Sequence, residues 1–310
     1  MEASSTAAGA VSRRGWALFA AMCVIWGIPY LLIRVAVRDI SPATLVLART
    51  GIAAILLLPV AAARHELRPV LPRWLPLLVF ALVEIAVPWV LLSSAEEHVS
   101  SSLTGLLIAA VPLVGAVIAR TSGQRERLGL QSALGLLLGL VGVAALVGLD
   151  LGGVGAGSLA EIAAVVVGYA VGPAILARFL SDLPALGVIA LSLAVAALAY
   201  VPLAALSLPD RVPPEKVLGS VAALAVICTA LAFVLFFALI AEIGPVRATV
   251  ITYVNPAVAA VLGVGVLGEH FTAGMGVGFV LVLAGSVLAT RRAPGSAPAG
   301  VEDELALQEG

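Results

Sequence analysis

Long apolar runs separated by short polar joints make up most of this chain. Each run is about 20 residues long, enough for a helix rising 1.5 Å per residue to cross a hydrocarbon core of roughly 30 Å. The apolar positions are continuous and do not alternate with polar ones, which favours helices over a β-barrel. The pattern predicts an all-α polytopic membrane protein with ten transmembrane helices, near residues 16–37, 42–63, 74–94, 99–119, 129–148, 158–179, 184–206, 217–241, 246–267 and 273–290.

Composition supports the same class. Hydrophobic residues make up 62% of the chain and charged residues 11%, so few polar side chains remain to cover a soluble surface. The expected surrounding is therefore a lipid bilayer, and the net charge of -1 without a basic stripe predicts no nucleic-acid partner. Cys23 and Cys228 lie inside apolar runs and are expected to be small buried side chains. No catalytic or ligand-binding motif is evident, so we predict no enzymatic activity, no metal and no cofactor.

Basic residues at the joints predict the orientation. Ten spans place both termini on one side, and twelve arginines fall on that side against three basic residues on the other. The positive-inside rule then predicts cytoplasmic termini in the inner (cytoplasmic) membrane. The two sets are Arg13, Arg14, Arg64, Arg68, Arg73, Arg120, Arg125, Arg127, Arg178, Arg247, Arg291 and Arg292 on the terminal side, and Arg38, Arg211 and Lys216 opposite.

The chain contains an internal repeat. From Pro112, the next marker residues Glu126, Gly135 and Gly142 follow after 14, 23 and 30 residues. From Pro256, the residues Glu269, Gly278 and Gly285 follow after 13, 22 and 29, a constant slip of one residue. Pro29 and Arg34 are matched in the same way by Pro173 and Arg178. The sequence therefore predicts a duplication of five helices.

An odd number of spans per half makes the two halves insert in opposite orientations, which is the architecture of alternating-access transporters. The predicted organisation is a disordered cytoplasmic N-terminus at 1–14, a first five-helix repeat at 15–149 and a glycine-rich linker at 150–157. A second repeat at 158–290 and a disordered cytoplasmic tail at 291–310 complete it.

Three groups of residues resemble a known family. They are Trp26-Gly27-Ile28-Pro29-Tyr30, Pro42 followed by Arg49, and the proline, Gly-Glu and glycine signature of Pro256, Gly268, Glu269, Gly278 and Gly285. Together they resemble the EamA family of the drug/metabolite transporter superfamily. The resemblance implies ten helices in two five-helix bundles, a central cavity, and export of small metabolites, often amino acids. In the first half, Arg125-Glu126 stands where the family has Gly-Glu.

Two charged residues lie deep in the predicted membrane. Glu84 is ten residues from Trp74, about 15 Å along a helix and so near the bilayer midplane. Such a carboxyl group should face the interior, as a proton or ion carrier or as a structural group. Arg49 is its candidate partner. A pair of the two would serve as a gate or as structural support, whereas Arg49 facing the cavity alone would attract a substrate carboxylate.

Aromatic residues are the other candidates for the cavity. We predict that substrate is bound by Trp26, Tyr30, Trp89, Tyr169, Tyr253 and Asn255, with packing as the alternative role of the aromatic side chains. Trp26 and Tyr30 are four residues apart, which predicts a shared helical face. Prolines inside the runs free backbone carbonyl groups and predict helix kinks at Pro29, Pro88, Pro112, Pro173 and Pro256.

The polar joints and glycines are expected to be structural. Glu126 and Glu269 each precede a glycine-rich helix, which predicts that each caps that next helix. The pairs Gly135-x3-Gly139 and Gly274-x3-Gly278 predict close helix contacts within one chain, and a monomer rather than a dimer.

The function predicted from the sequence is secondary active transport. The chain would export a small metabolite, an amino acid or related compound, across the cytoplasmic membrane by alternating access with proton coupling. An exporter of organic cations fits the lone Glu84 among aromatic residues equally well. A small-solute channel and a membrane enzyme acting on lipid are the alternatives of another class.

Overall fold

A computed structural model describes residues 12–121, 130–150, 154–248 and 250–290. All regular elements in these ranges are helical. The helices are α1 (Arg13–Ile25), α2 (Pro29–Ala36), α3 (Pro42–Ala63), α4 (Trp74–Phe80), α5 (Val87–Ala95), α6 (Ser101–Ile108), α7 (Val111–Thr121), α8 (Leu130–Asp150), α9 (Ala156–Phe179), α10 (Ala185–Ala205), α11 (Glu215–Ala225), α12 (Ala232–Ile243), α13 (Pro245–Ala248), α14 (Ile251–Leu267) and α15 (Ala273–Thr290). A 3-10 turn (Leu71–Arg73) precedes α4, and two π-helical segments (Ala81–Ala86 and Val226–Leu231) join α4 to α5 and α11 to α12.

Seven helices or continuous helix pairs are long and apolar enough to span a membrane: Arg13–Ala36, Pro42–Ala63, Leu71–Ala95, Ser101–Ile118, Ala156–Phe179, Ala185–Ala205 and Glu215–Ile243. Three shorter apolar helices are Ala133–Leu146, Ile251–Leu267 and Ala273–Ala289. The ten predicted runs fall on these seven spans and three shorter helices. The chain is therefore a multi-pass helical membrane protein.

The predicted kink prolines occupy two kinds of position. Pro29 begins α2 after a turn, Pro112 is the second residue of α7 after a break, and Pro88 follows the first π segment. Each lies where the regular α-helix is interrupted, as expected for a residue without an N–H. Pro173 and Pro256 instead lie inside the uninterrupted helices α9 and α14.

Glycines allow a close approach of the helices α8 and α15. A Cβ atom at Gly135 would stand 2.9 Å from the carbonyl oxygen of Gly285, and one at Gly142 would stand 2.8 Å from that of Gly278. Contacts this short leave no room for a side chain, so these positions require glycine. The intramolecular packing predicted for Gly135 and Gly278 is what the helices form.

Contacts between joints define two ends of the bundle. At the Glu269 end, the backbone N–H groups of Ser101 and Ser102 donate to Glu269. Three further hydrogen bonds lie at this end: Arg34 with Glu96, Ser94 with Glu161, and Ser41 with Ser207. At the Arg73 end, Arg73 makes a two-point ion pair with Asp182, with N–O distances of 2.8 and 2.7 Å. The contacts of the N-terminus of α1 with the end of α12, between Ser12 and Glu242, belong to the Arg73 end as well.

Several predictions concern residues at or beyond the edges of the described ranges. The joint containing Arg125 and Glu126, the tail from 291 and the first eleven residues lie outside the described residues. Within the predicted disordered N-terminus, Ser12 caps α1 by accepting a hydrogen bond from the Gly15 N–H at 2.9 Å, so α1 begins at Arg13. At the predicted linker, Val154 and Gly155 precede the start of α9.

Candidate functional site

Arg49 lies on α3, in the interior of the helix bundle. It is only 7% exposed, and its guanidinium carbon stands 3.7 Å from the ring centroid of Trp89 on α5. Its Nε donates to the hydroxyl of Thr229, in the second π segment, at 2.9 Å. Neither of the ion pairs in the described structure involves Arg49. A buried guanidinium is thus held by a ring and a hydroxyl, and no carboxylate among the described residues forms an ion pair with it.

The second π segment explains how Thr229 is available to Arg49. The Thr229 hydroxyl donates to the carbonyl oxygen of Leu224, five residues earlier, at 2.7 Å. This bond gives the Leu224 carbonyl oxygen in the π turn a donor, and it leaves a lone pair of the Thr229 hydroxyl free to accept the hydrogen bond from Arg49. Thr229 was not predicted from the sequence, because a single threonine in an apolar run carries no signal that it meets an arginine 180 residues away.

Glu84 lies in the first π segment and packs against α9. A Cβ at Gly172 would overlap the Glu84 carboxyl group, and it would stand 2.9 Å from the Glu84 Cβ. Glycine at 172 therefore makes room for this side chain. The Glu84 Oε2 is buried and has no hydrogen-bond partner in the described structure, and no ion pair joins Glu84 to Arg49 there.

Three aromatic residues lie near the two charged groups. Trp89 and Tyr30 are buried, and Tyr169 on α9 packs against both neighbouring apolar clusters. Tyr169 is within electrostatic reach of both Arg49 and Glu84. Five of the residues predicted for the site therefore meet in one region: Tyr30, Arg49, Glu84, Trp89 and Tyr169.

Trp26 lies apart from this region. α1 stops at Ile25 and α2 starts at Pro29, so Trp26 and Tyr30 do not lie on one continuous α-helix. Their shared helical face stays a prediction. Trp26 packs on Phe236 and Phe233 of α12, with ring centroids 4.7 and 6.0 Å apart.

Asn255 connects the break between α1 and α2 to α14. Its amide nitrogen donates to the carbonyl oxygens of Ile251 at 3.0 Å and Cys23 at 3.1 Å. The opposite amide orientation would place the side-chain oxygen of Asn255 against these two carbonyl oxygens, where no hydrogen bond can form. The Gly27 N–H bonds to Val24 in the tightened turn, so the Cys23 carbonyl needs another donor. Tyr253 lies on the same helix and is partly buried.

Glu269 has a different role from the predicted one. Its two carboxylate oxygens accept four hydrogen bonds, from the N–H groups of Ser101 and Ser102 at 2.8 and 2.9 Å and from their hydroxyls at 3.0 and 2.6 Å. It therefore caps α6, in the other half of the chain, and the prediction that it caps its own next helix is wrong. Burial would raise the pKa of Glu269, but the hydrogen bonds from Ser102 and Ser101 outweigh it and hold that pKa below the usual range.

Glu96, which the sequence analysis did not single out, is fully buried at the Glu269 end. Neither of its carboxyl oxygens has a hydrogen-bond partner in the part of the chain that the structure describes. Arg34 donates instead to the backbone carbonyl oxygen of Glu96. Burial raises the pKa of Glu96 well above its usual range, a shift opposed by Arg34 and increased by Glu269.

These features define a helical membrane protein with a cationic and aromatic centre formed by helices from both halves. The chain belongs to the EamA-like transporter family, which matches residues 13–148 and 158–291. The two matched segments correspond to the two predicted halves.

Individual relatives agree with this assignment. The chain is 30% identical over 266 residues to the "Uncharacterized inner membrane transporter YedA" of Escherichia coli (strain K12), over 82% of each chain. The protein of the same name from Escherichia coli O157:H7 matches equally. A solved crystal structure with 21% identity has a TM-score of 0.64 over 89% of this chain and 96% of that chain, which shows a shared fold.

Proposed function

We propose that the chain is a secondary active transporter of the inner membrane that exports a small carboxylate-bearing metabolite, such as an amino acid, by alternating access. The observation that carries the proposal is Arg49: a buried guanidinium between the halves, in a member of a transporter family, with no carboxylate paired to it in the described structure. An unpaired buried charge is costly, and a substrate anion would offset that cost.

Packing between helices supports two inverted five-helix repeats. When the first five predicted runs are exchanged with the last five, the contacts of α5 with α9 have a counterpart in those of α12 with α1, and the contacts of α4 with α9 have one in those of α11 with α2. The pairs α3 with α10, α6 with α14 and α8 with α15 are their own counterparts, as helices facing each other across a two-fold axis must be.

Local features repeat in the same way. Matching Gly135 to Gly278 and Gly142 to Gly285 interchanges the two close contacts between α8 and α15. The π segments begin at Ala81 and Val226, 145 residues apart, within one residue of the spacing of 144 between Pro112 and Pro256. Two equivalent halves can exchange conformations at similar energy, which is the basis of alternating access.

Arg49 favours a substrate anion over an organic cation. A cationic substrate would have to approach the guanidinium in a region of low dielectric, where like charges repel strongly. Tyr30, Trp89 and Tyr169 would then contact the apolar part of the substrate. Trp26, Tyr253 and Asn255 stay predicted positions of the same pathway, reached as the halves move.

Glu84 is the proposed coupling carboxyl group. Its Oε2 has no hydrogen-bond partner in the described structure, and the side chain lies opposite Gly172. Such a carboxyl group is expected to be neutral while it is enclosed and to lose its proton when water reaches it. Loss and uptake of this proton during alternating access would couple proton movement to substrate export. Both termini are proposed to be cytoplasmic, on the arginine distribution.

The transport test begins with metabolite profiling of medium from cells that overexpress the chain and from cells that lack it. Compounds enriched in the medium are then tested for counterflow into proteoliposomes. We expect saturable counterflow of a carboxylate compound, reduced at least tenfold by Arg49→Met and only partly restored by Arg49→Lys. Arg38→Met, at an exposed arginine, is the matched control and should transport normally.

Each other result has a definite meaning. Flux that rises linearly with substrate concentration and shows no counterflow would indicate that the protein is a channel and not a transporter. Counterflow of an organic cation that survives Arg49→Met would overturn the assignment of the substrate class. Full pH-gradient-driven transport by Glu84→Gln would exclude Glu84 as the coupling group.

A further inference from the structure

The Glu269 end of the bundle contains a second enclosed carboxyl group, and we propose that Glu96 is a proton-binding site there. Glu96 holds its proton while this end is packed shut and releases it to water when the end opens. The proposal rests on the alternating access proposed above. Its basis is geometric: Glu96 is 0% exposed, and neither carboxyl oxygen has a hydrogen-bond partner within the described residues.

Glu84 and Glu96 belong to one membrane span and the residue that follows it. Glu84 lies within the first π segment, and Glu96 is the C-cap of α5, twelve residues later. The Glu84 carboxyl group faces Gly172 on α9, and Glu96 is within electrostatic reach of Arg49 on α3. Two enclosed carboxyl groups therefore lie at different levels of the same span.

Charged and titratable groups surround Glu96 from several elements. Arg34 and Tyr30 approach from α2, Arg49 from α3, Tyr169 from α9 and Glu269 from the joint between α14 and α15. On its own element, Glu97 and His98 follow it and are exposed. The arginines favour an ionised Glu96, whereas Glu269 and burial oppose it, and burial is the largest influence.

Arg34 supplies a partner for the carboxylate once the proton has left. In the closed arrangement its guanidinium donates to the backbone carbonyl of Glu96 itself, so it already lies beside the residue. When water enters, the O–H bond of the Glu96 carboxyl breaks, the proton goes to water, and Arg34 can pair with the carboxylate through a change of side-chain rotamer. A charge-assisted pair then replaces a neutral buried acid.

The sign of the pH dependence follows from linkage. The closed form binds the proton more tightly, because its pKa is raised by burial. Below the ordinary carboxyl range both forms are protonated, and the open-to-closed ratio does not depend on pH. Above that range each pH unit favours the open form about tenfold, until the pH passes the pKa of the closed form.

The first experiment is infrared difference spectroscopy of the full chain in liposomes at neutral pH. The wild-type spectrum should contain carboxylic-acid carbonyl absorption from Glu96 in addition to that of Glu84. The Glu96 component should be lost in Glu96→Gln and retained in Glu97→Gln, the exposed neighbour. A wild-type spectrum from which Glu96→Gln removes no such band would mean that Glu96 is ionised, and the proposal would be overturned.

The second experiment is hydrogen–deuterium exchange of the first turn of α6, whose N–H groups are held by Glu269 at this end. Glu96→Gln cannot ionise, so at alkaline pH its α6 amides should exchange at least threefold more slowly than those of the wild type and of Glu97→Gln. At acidic pH the three should agree, and Glu96→Asp should retain the wild-type pH dependence. Equal exchange in Glu96→Gln and wild type at alkaline pH would refute the coupling of protonation to opening.

Neither readout needs a substrate. A failed transport assay would therefore refute the proposed function while leaving these results standing. A failed proton test would leave the transporter assignment intact and remove only Glu96 from the coupling mechanism.

Discussion

Glu269 ties the two halves together, and its replacement is the sharpest test of the fold. Four hydrogen bonds connect its carboxylate to the first two residues of α6, Ser101 and Ser102. Both serines are fully buried. Glu269→Ala leaves two backbone N–H groups and two hydroxyls without an acceptor at a helix N-terminus, where they are also oriented by the helix dipole.

The size of the effect can be bounded from the contacts. Loss of an N-cap costs about 0.5–2 kcal/mol, and a hydrogen bond to a charged group contributes about 1.5–3 kcal/mol. Because four bonds to one carboxylate are not additive, we expect a loss of about 3 kcal/mol for Glu269→Ala. At roughly 2 °C per kcal/mol for a chain of this size, the unfolding temperature in detergent should fall by about 6 °C.

The pH dependence provides a second check. The pKa of Glu269 is depressed in the folded chain, so its stabilisation is complete above the ordinary carboxyl range and is lost as pH falls through the folded value. The difference between wild type and Glu269→Gln should thus be full at neutral pH and shrink in acid. His270→Gln, at the next and exposed position, is the control. An unfolding temperature of Glu269→Ala equal to that of His270→Gln would refute a stabilising role of the four hydrogen bonds that Glu269 accepts from Ser101 and Ser102.

Two further substitutions test the packing around the site by thermal unfolding. Gly172→Ala should destabilise the folded chain by about 1–3 kcal/mol, because the added Cβ meets the Glu84 carboxyl group. The control is Gly157→Ala, on the same helix with open space around it, which should leave the stability unchanged or increase it. Asn255→Ala should cost about 1–3 kcal/mol by leaving the Cys23 carbonyl without its donor, and Asn255→Asp, which has no amide N–H, should lose as much. A stable Gly172→Ala or a full rescue by aspartate would contradict these contacts.

The positions of the helices were predictable because a bilayer imposes length and apolarity on every span. The ten predicted runs fall on helices of the structure, and the depth of Arg49 and Glu84 in the membrane stays a prediction from counting residues along them. The meeting of Arg49 with Trp89 was not predictable. Two residues 40 positions apart on different helices approach each other only through tertiary packing.

Other features depend on local backbone geometry that composition does not reveal. A π segment shifts the helical register by one residue, and only Pro88 hinted at one of the two. The four-residue spacing of Trp26 and Tyr30 spans a break in the helix, because Pro29 starts a new helix. Glu269 precedes α15 in sequence, yet its carboxylate reaches a helix 167 residues away. In each case the sequence supplied the right residue with an incorrect or incomplete neighbourhood.

The duplication predicted from the sequence is unequal at its two ends, and this inequality bears on the proposed direction of transport. Adding the repeat spacing of 144 to Ser101 and Ser102 gives Pro245 and Val246. Proline has no N–H and valine has no hydroxyl, so the four hydrogen bonds that Glu269 accepts have no equivalent at these two positions. Among the described residues, the Arg73 end is held by the exposed pair of Arg73 with Asp182 and by the contacts of Arg14 and Ser12 with Glu242. Exposed ion pairs contribute only about 0–1 kcal/mol each, so we predict that the Arg73 end opens at a lower cost than the Glu269 end. If the Arg73 end faces the cytoplasm, as the arginine distribution predicts, this difference would favour loading of substrate from inside, which the proposed export requires.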